Sequence, residues 1–553
     1  MTLNRKLEHL GYAIILIPLL SYLLAVLCFA ACWHITPLVF LCALTFGLYY
    51  LYSNSVGFKT LLLYLFVVAL CISLGTYIWD VSFDGPWYHA DLIHKLSYEC
   101  YNPYYTWALS EEDLTAHSSS NWIPYYAKGY EIVAATIVSV TGNLESGKSE
   151  NLLFFIGASM ILYSLLTELL SNKVHQGLVL VVAMGNPVVL GQLFTHYIDW
   201  TCYILLLITL VSIYRMVICK DYHYQWLVFL VAILAINIKI NIAFWIFIFS
   251  FILLTILFVS TKRQLRKKTV VLLCVGGGLG ILAGFNPYFT NQCQKGHPLY
   301  PLAGDNPVDI MTMSTPALLL DKNRVEAVSM SLLMNPQNDL NLKCVTLKGI
   351  LGLDKNSFDE CSNSDTRLGG FGIFFFEALV CLLFLSLIVD YSYKKYYLLT
   401  CLLAYLSLLL LPSGWWARYV CYFYLVAPLL LLALVRTPRK PLVNAVIYVV
   451  FLLLILNSSL SLLSNCRRLL SGRKQYNKVL TYLQDNKNDH MVIRPWNALF
   501  VQKLKDRGIP FRIAHKESLH DSLRIKQVGP PVYVKSSSLG DSFDDDFFEI
   551  VNE

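Results

Sequence analysis

Charge is scarce in this sequence. Only 14% of the 553 residues are charged, whereas 56% are hydrophobic, and the mean hydropathy is +0.55. A water-soluble domain carries about a quarter charged residues, so the composition excludes an ordinary soluble protein. The formal net charge is +7, but no soluble module combines a basic patch with stacking aromatics, and nucleic-acid binding is not expected.

We also expect neither a structural metal site nor a nucleotide site. No Cys or His spacing typical of a structural zinc site occurs, and no ligand cluster predicts a bound metal. We expect no Gly-rich phosphate loop, no Walker pattern and no nucleotide-binding domain, which argues against an ATP-driven pump. Five cysteines are expected outside the membrane, where a disulfide bond can form, but the sequence does not indicate which two would pair. They are Cys100, Cys293, Cys344, Cys361 and Cys466.

Apolar runs of about 16 to 22 residues recur along the chain. This is the length that a helix needs to cross a bilayer core. Within lipid such runs must be helical, because every backbone polar group needs an internal partner. We therefore predict an all-α, polytopic membrane protein with about thirteen transmembrane helices. The predicted spans are residues 11–32, 37–53, 60–79, 152–170, 177–195, 202–218, 226–240, 241–260, 269–285, 369–390, 397–411, 420–435 and 441–460.

Basic residues cluster in alternate connections, which orients the spans. With the N-terminus inside, the short outer connections carry only Lys239 and Arg418. Three long polar stretches then share the outer face: 80–151, 286–368 and the tail from 464. We divide the chain into a transmembrane domain, 1–463, and an outer module, 464–553. Alternating helix and strand patterns predict a small α/β fold for this module, ending in a mobile acidic tail.

The polar segment WDVSFDGPWYHADLIHKL follows the third apolar run. Gly85 and Pro86 predict a helix start, because proline suits the first helical position. Asp84 would be fixed just before this helix, and Asp80 would lie at the membrane boundary. The pattern is compatible with a reacting carboxylate, and equally with a helix cap followed by interfacial aromatics.

Other polar residues fall on the same predicted face. Lys128 and Glu131 flank the start of an amphipathic segment that is too short to span. Lys239 separates two apolar runs, and a lysine at the membrane boundary either snorkels to water or faces an anion. Each residue alone has an ordinary structural explanation, but together they predict one site. Further candidates end a span or open the second long loop: His196, Tyr197, Asp199, Arg418 and His297.

Four motifs together resemble integral-membrane glycosyltransferases of the C fold (GT-C), and more narrowly a group of bacterial inner-membrane proteins. The motifs are DGPWYH, YYAKGYE, NPYFTN with GHPLYPL, and WWARY, and the likeness covers about residues 79–419. The tail from 464 lies outside it. In most GT-C enzymes the acidic loop follows the first span. Here it follows the third, so we interpret the first two spans as an added hairpin.

The resemblance implies transfer of a sugar from a polyprenyl phosphate or diphosphate, with inversion, on the periplasmic side of a bacterial inner membrane. The acceptor hydroxyl would belong to a glycan, a lipid or a protein. Asp84 matches the family's loop aspartate and is the expected general base, with Asp80 second. Lys239 and Arg418 are expected to bind the donor phosphate. Some family members use a divalent metal (Mg or Mn) and others do not, so the resemblance leaves open whether this protein binds one. Substrate contacts are expected from His89, Lys128, Glu131, His196, Tyr197, Asp199 and His297.

Two other functions remain compatible with the sequence. A transporter or lipid flippase is also polytopic and carries intramembrane charges, but it usually shows internal repeats, and none is found here. An O-antigen-type ligase or polymerase also has large outer loops. Such enzymes typically depend on loop arginines and a histidine, whereas the short outer loops here offer a single arginine, Arg418.

Overall fold

The computed structural model of the chain describes most of the sequence, with gaps in the long loops and the tail. The described residues are 2–105, 122–258, 263–343, 355–361, 363–437, 440–485, 492–495, 497–513, 522–526, 532–535 and 548–550. Cys344 lies outside them, and the other cysteines proposed for a disulfide are free thiols.

Of the residues that the structure describes, 74% are helical. Its helices and helical turns are Leu3–Ala30, Pro37–Ser53, Phe58–Tyr77, Gly85–His89, Ala90–Tyr98, Trp122–Tyr125, Gly129–Thr141, Leu144–Lys148, Ser149–Leu169, Lys173–Met184, Pro187–Gln192, Trp200–Tyr214, Arg215–Cys219, Tyr222–Tyr224, Gln225–Ile238, Ile240–Phe258, Arg263–Ala283, Phe285–Phe289, Thr290–Lys295, Ile310–Ser314, Ala317–Leu319, Arg324–Leu333, Lys355–Glu360, Phe375–Ile388, Lys394–Leu410, Ala417–Leu425, Val426–Val435, Pro441–Asp485 and Ala498–Asp506.

Five helices among the described residues are long and apolar enough to cross a membrane. They are Leu3–Ala30, Phe58–Tyr77, Leu144–Leu169, Ala417–Val435 and Pro441–Asp485. A sixth candidate is a pair of helices, Lys267–Ala283 and Phe285–Lys295, bent by 71°. Seven further apolar helices have only 10–17 residues, short of the roughly 20 that a straight span needs. A membrane protein is therefore supported, but the predicted number of about thirteen spans is not confirmed.

Small residues let the first helix pack closely against the Ser149–Leu169 helix. A Cβ atom added at Gly11 would lie 2.8 Å from the carbonyl oxygen of Gly157, and one added at Gly157 would lie 3.0 Å from that of Gly11. Close backbone approach through small residues is typical of helix pairs in membranes, because lipid supplies no hydrophobic drive for association.

The last candidate span continues into the C-terminal module. Pro441–Asp485 is one helix of 45 residues, about 67 Å long, which exceeds a bilayer core of roughly 30 Å. The domain boundary predicted at residue 464 falls inside this helix. The end of the helix contributes Tyr476, Leu480 and Leu483 to the core of the module.

The module contains the predicted small sheet. Its strands are β1 (Val492–Pro495), β2 (Arg512–Ile513), β3 (Ser522–Ile525), β4 (Val532–Lys535) and β5 (Phe548–Ile550), in the order β2-β1-β4-β3-β5. Only the β1–β2 pair is parallel among the described strands. Strand β5 lies within the segment predicted to be a mobile acidic tail. That prediction is wrong for these three residues, because they pair with β3.

Candidate functional site

A cavity of about 840 Å³ lies where several connections meet. Its walls come from residues 81–89, Lys239 at a break between two helices, the segments 308–314 and 363–367, residues 416–419, and Arg468 of the long Pro441–Asp485 helix. Six residues predicted from the sequence line it: Asp84, His89, Tyr197, Asp199, Lys239 and Arg418. The structure therefore brings the proposed base and both proposed phosphate ligands into one space.

Five charged residues form one ion-pair network, here called the charged floor, with Arg418 at its centre: Asp84, Asp199, Lys239, Asp365 and Arg418. The Nη1 atom of Arg418 lies 2.5 Å from Asp365 Oδ1 and 3.3 Å from Asp84 Oδ2, and its Nε lies 3.5 Å from Asp199 Oδ2. The guanidinium also stacks near the ring of Trp416, at 4.7 Å. Three carboxylates and an aromatic face thus hold this arginine in place, and its side chain is only 11% exposed.

Lys239 joins the same network where one helix stops and the next begins. Residue 239 has extended backbone angles between Gln225–Ile238 and Ile240–Phe258. Its Nζ lies 2.7 Å from Asp199 Oδ1 and 4.3 Å from the ring centre of Tyr419. Of the two alternatives for Lys239, snorkelling to water or facing an anion, the structure shows the second, because the ammonium group faces a protein carboxylate.

Asp84 projects into the cavity from the start of the Gly85–His89 turn. Its side chain makes no capping hydrogen bond to the following helix, so the alternative of a simple helix cap is not supported. Its backbone N–H donates to the hydroxyl of Tyr197 at 3.4 Å. The carboxylate is 22% exposed and reaches one protein cation, Arg418, within 4 Å among the described residues.

Asp80, the second candidate base, is buried and packs against the Gly85–His89 turn on the side away from the cavity. It is 1% exposed, does not line the cavity, and accepts backbone N–H groups from Ser82 at 2.8 Å and His196 at 2.7 Å. Burial raises the pKa of its carboxyl. A Cβ atom at Gly85 would lie 2.2 Å from Asp80 Oδ2, so only glycine allows the turn to pack against this carboxylate. The geometry favours a structural role for Asp80.

Four other predicted substrate contacts lie outside the cavity lining. Glu131 stands behind His89, with its Oε1 2.5 Å from the ring Nδ1. Lys128 donates to the carbonyls of Pro124 and Tyr126 and to Asn286 Oδ1, and burial lowers its pKa to about 7. The other two histidines contact neighbouring protein groups: a ring nitrogen of His196 lies within hydrogen-bond distance of the Tyr130 hydroxyl, and His297 accepts the backbone N–H of Leu299.

Four charged cavity residues were not predicted from the sequence: Asp309, Asp365, Arg367 and Arg468. Burial raises the pKa of Asp365 to about 6, with the charge of Asp84 adding to this and that of Arg418 opposing it. Arg468 donates to Ser364 Oγ and to two further oxygens, each at 3.3 Å. Among the described residues, no carboxylate oxygen lies within 4.0 Å of Arg468. The polar run NSDTR before an apolar stretch could have indicated Asp365, whereas Arg468 lies beyond the last apolar run.

The carboxylates of the floor do not form a metal site. Asp84, Asp199 and Asp365 each direct an oxygen at Arg418. In the part of the chain that the structure describes, no three His, Cys, Asp or Glu side chains gather in a way that could hold a metal ion. The residues present therefore do not fit a resident Mg or Mn ion, and no step is assigned to one.

The segment Gly142–Ser149, GNLESGKS, fits the letters of a Walker A phosphate loop, a match that corrects the expectation of no such motif. Its structural context excludes the function, because a phosphate loop follows a strand and leaves its backbone N–H groups open. Here the segment follows the Gly129–Thr141 helix. Lys148 is 0% exposed and binds Glu145, and Gly147 packs against Ala134 and His196, so no room remains for a phosphate.

Comparisons with protein families, with curated proteins and with solved structures found no match to this chain. A function must therefore be inferred from the residues of the cavity.

Proposed function

We propose that this protein is a GT-C type glycosyltransferase of a bacterial inner membrane, with the cavity open to the periplasm. It transfers a sugar from a polyprenyl phosphate or diphosphate to an acceptor hydroxyl. The observation that carries the proposal is one cavity that combines a partly exposed carboxylate, Asp84, with the cations Lys239, Arg418 and Arg468. These are the two charge types that such a transfer needs.

The carboxylate of Asp84 acts as the general base. It accepts the proton of the acceptor hydroxyl while that oxygen attacks the anomeric carbon of the donor sugar. The bond between the anomeric carbon and the phosphate oxygen breaks, and its electron pair leaves with the lipid phosphate. Attack from the face opposite the leaving group inverts the anomeric carbon. Ion pairing with Arg418 keeps the carboxylate in place and oriented before substrate binds.

The cations stabilise the charge that develops on the leaving phosphate. Lys239 and Arg418 already face protein carboxylates, whereas Arg468 meets hydroxyl, amide and carbonyl oxygens. We therefore assign the first contact with the phosphate to Arg468. Asp365 then leaves Arg418 as the phosphate arrives, which its raised pKa of about 6 facilitates because its protonated form binds the arginine less strongly.

The cavity wall also suits an amphipathic donor. Charged residues form its floor, whereas the apolar side chains of Phe83 and Met313, which also line it, are 50% and 83% exposed. Exposed apolar side chains beside a charged pocket are favourable for a ligand with a polar head and a hydrocarbon tail. A prenyl chain linked to a sugar phosphate has this form.

An O-antigen-type ligase or polymerase is the second candidate, because three arginines and a histidine meet in the cavity: Arg367, Arg418, Arg468 and His89. Such an enzyme depends on its loop arginines and a histidine. Replacement of Asp84 separates the two proposals, since only the glycosyltransferase assigns proton removal to this carboxylate.

The test is Asp84→Asn in proteoliposomes supplied with synthetic polyprenyl-phosphate hexoses and pentoses. General base catalysis contributes about 10²- to 10⁴-fold, and we expect kcat to fall by that factor while donor affinity changes little. Asp359→Asn makes the same chemical change on an aspartate outside the cavity, half-exposed at 46%, and should leave kcat unaltered. Near-normal turnover by the Asp84 variant would contradict the proposal.

A further inference from the structure

We propose that the C-terminal module is a clamp that positions the Asp84 turn, and that Lys503 is its positioning residue. The catalytic part of this inference rests on the proposed function. The clamp itself rests on a buried charge cluster and an aromatic contact, both of which join the module to residues 79–85.

The charge cluster contains two acids and two lysines, all nearly inaccessible. Glu145, Lys148, Asp80 and Lys503 are 4%, 0%, 1% and 7% exposed. Lys148 binds one oxygen of the Glu145 carboxylate and Lys503 binds the other. The backbone N–H of Asp80 donates to the same carboxylate at 3.0 Å. The four formal charges cancel.

Of the four residues in this cluster, only Lys503 comes from the module, and the other three belong to the membrane part of the chain. Without the lysine, the other three residues leave one uncompensated negative charge in a buried site. An unpaired buried charge is strongly unfavourable. The membrane part therefore needs the module, through this lysine, to keep Glu145 ionised in its observed position.

A short chain of contacts leads from Lys503 to Asp84. Glu145 accepts the N–H of Asp80, the Asp80 side chain accepts the N–H of Ser82 and packs against Gly85. Asp84 lies between these two residues. Any shift of the Asp80 carboxylate must therefore move the backbone from which the proposed base projects.

Aromatic and small residues form the second half of the clamp. The ring of Trp79 lies 4.7 Å from Lys503 Nζ and 6.3 Å from the ring of Tyr476. A Cβ atom at Gly472 would lie 2.7 Å from Val81 Cγ1, so the long helix touches the segment directly. The module thus holds residues 79–81 from two sides, by its own helix and by the helix that carries it.

Hydrogen exchange of the amides in 79–85 tests the clamp without any substrate. In the full-length protein, Lys503→Gln should make the amides of Asp80 and Ser82 exchange about tenfold faster or more, whereas Lys503→Arg should retain protection. Lys505→Gln is the matched control, because Lys505 lies on the same helix but is exposed.

A double variant separates lost charge balance from lost packing. Glu145→Gln combined with Lys503→Gln leaves Asp80 and Lys148 as a neutral pair and keeps an acceptor for the Asp80 N–H. Its amide protection should recover most of the wild-type value. Unchanged exchange in Lys503→Gln, an equal rise in Lys505→Gln, or no recovery in the double variant would each overturn the clamp.

The activity arm uses the polyprenyl-phosphate sugar donors. Lys503→Gln should lower kcat at least tenfold with donor KM changed less than threefold, since the base is displaced and the phosphate ligands are not, and Lys503→Arg should recover kcat. A rise in KM with unchanged kcat would refute the positioning role. If the wild-type protein transfers no sugar, the proposed function fails, and the exchange experiment still decides on the clamp.

Discussion

Replacing Arg468 with Gln probes the cation that the sequence did not indicate. In the wild-type protein its Nη atoms donate to Ser364 Oγ, Gly191 O and Asn465 Oδ1, each at 3.3 Å. Such distances are long for N–H···O bonds. We expect their loss to cost the fold only about 1 kcal/mol, so the variant should remain folded and suitable for binding measurements.

The effect on ligand binding should be much larger. A hydrogen bond from a charged group contributes about 1.5 to 3 kcal/mol, which corresponds to roughly a 10- to 150-fold weaker Kd for a phosphate. The assay is a titration of the protein in nanodiscs with geranylgeranyl phosphate, and with geranylgeraniol as the ligand that lacks the phosphate. Only the phosphate should lose affinity, because the variant leaves the apolar wall of the cavity unaltered.

Arg467→Gln provides the matched control. Arg467 is the preceding residue of the same helix, but it is 60% exposed and faces Asp359 at 3.7 Å. Its replacement should change the Kd for geranylgeranyl phosphate less than twofold, since exposed ion pairs contribute little. Wild-type affinity in Arg468→Gln, or an equal loss in Arg467→Gln, would refute the assignment of Arg468 to the phosphate.

Two further predictions concern charge and space in the same region. Asp365 has a pKa of about 6 and is therefore ionised at pH 7.5 and protonated at pH 5. Asp365→Asn should bind geranylgeranyl phosphate more tightly than wild type at pH 7.5 and equally well at pH 5, and a ratio of the two Kd values that is independent of pH would contradict this. Gly85→Ala should lower the thermal stability and kcat, because its Cβ would lie 2.2 Å from a carboxylate oxygen. Gly177→Ala, where nothing lies within 4 Å, should raise the free energy of unfolding by about 0.5 to 1 kcal/mol, and equal effects of the two substitutions in thermal melts would argue against the packing of the turn.

The charged floor was largely predictable, because it depends on topology. Asp84 and Arg418 are 334 residues apart, but each lies where an apolar run ends on the same predicted face. Ends of spans on one side of a membrane meet, so polar residues there are expected to converge. The same reasoning found Lys239 and Asp199, which form an ion pair at 2.7 Å.

Burial of individual residues could not be predicted from the sequence. The family resemblance placed Asp84 before Asp80, but only the structure shows that Asp80 is buried against Gly85 whereas Asp84 lines the cavity. Arg468 lies past the last predicted span, so its position depends on the helix continuing without a break to Asp485. Apolar length alone gives no indication of breaks, but Asn186 and Pro187 mark the one at which the predicted span 177–195 is divided between Lys173–Met184 and Pro187–Gln192.

A cryo-EM structure of the protein in nanodiscs with geranylgeranyl phosphate tests the central claim most directly. The account predicts phosphate density within about 3 Å of the Arg468 guanidinium, in the cavity that Asp84 enters, with the prenyl chain beside Phe83 and Met313. Phosphate bound elsewhere on the protein, with this cavity empty, would contradict it.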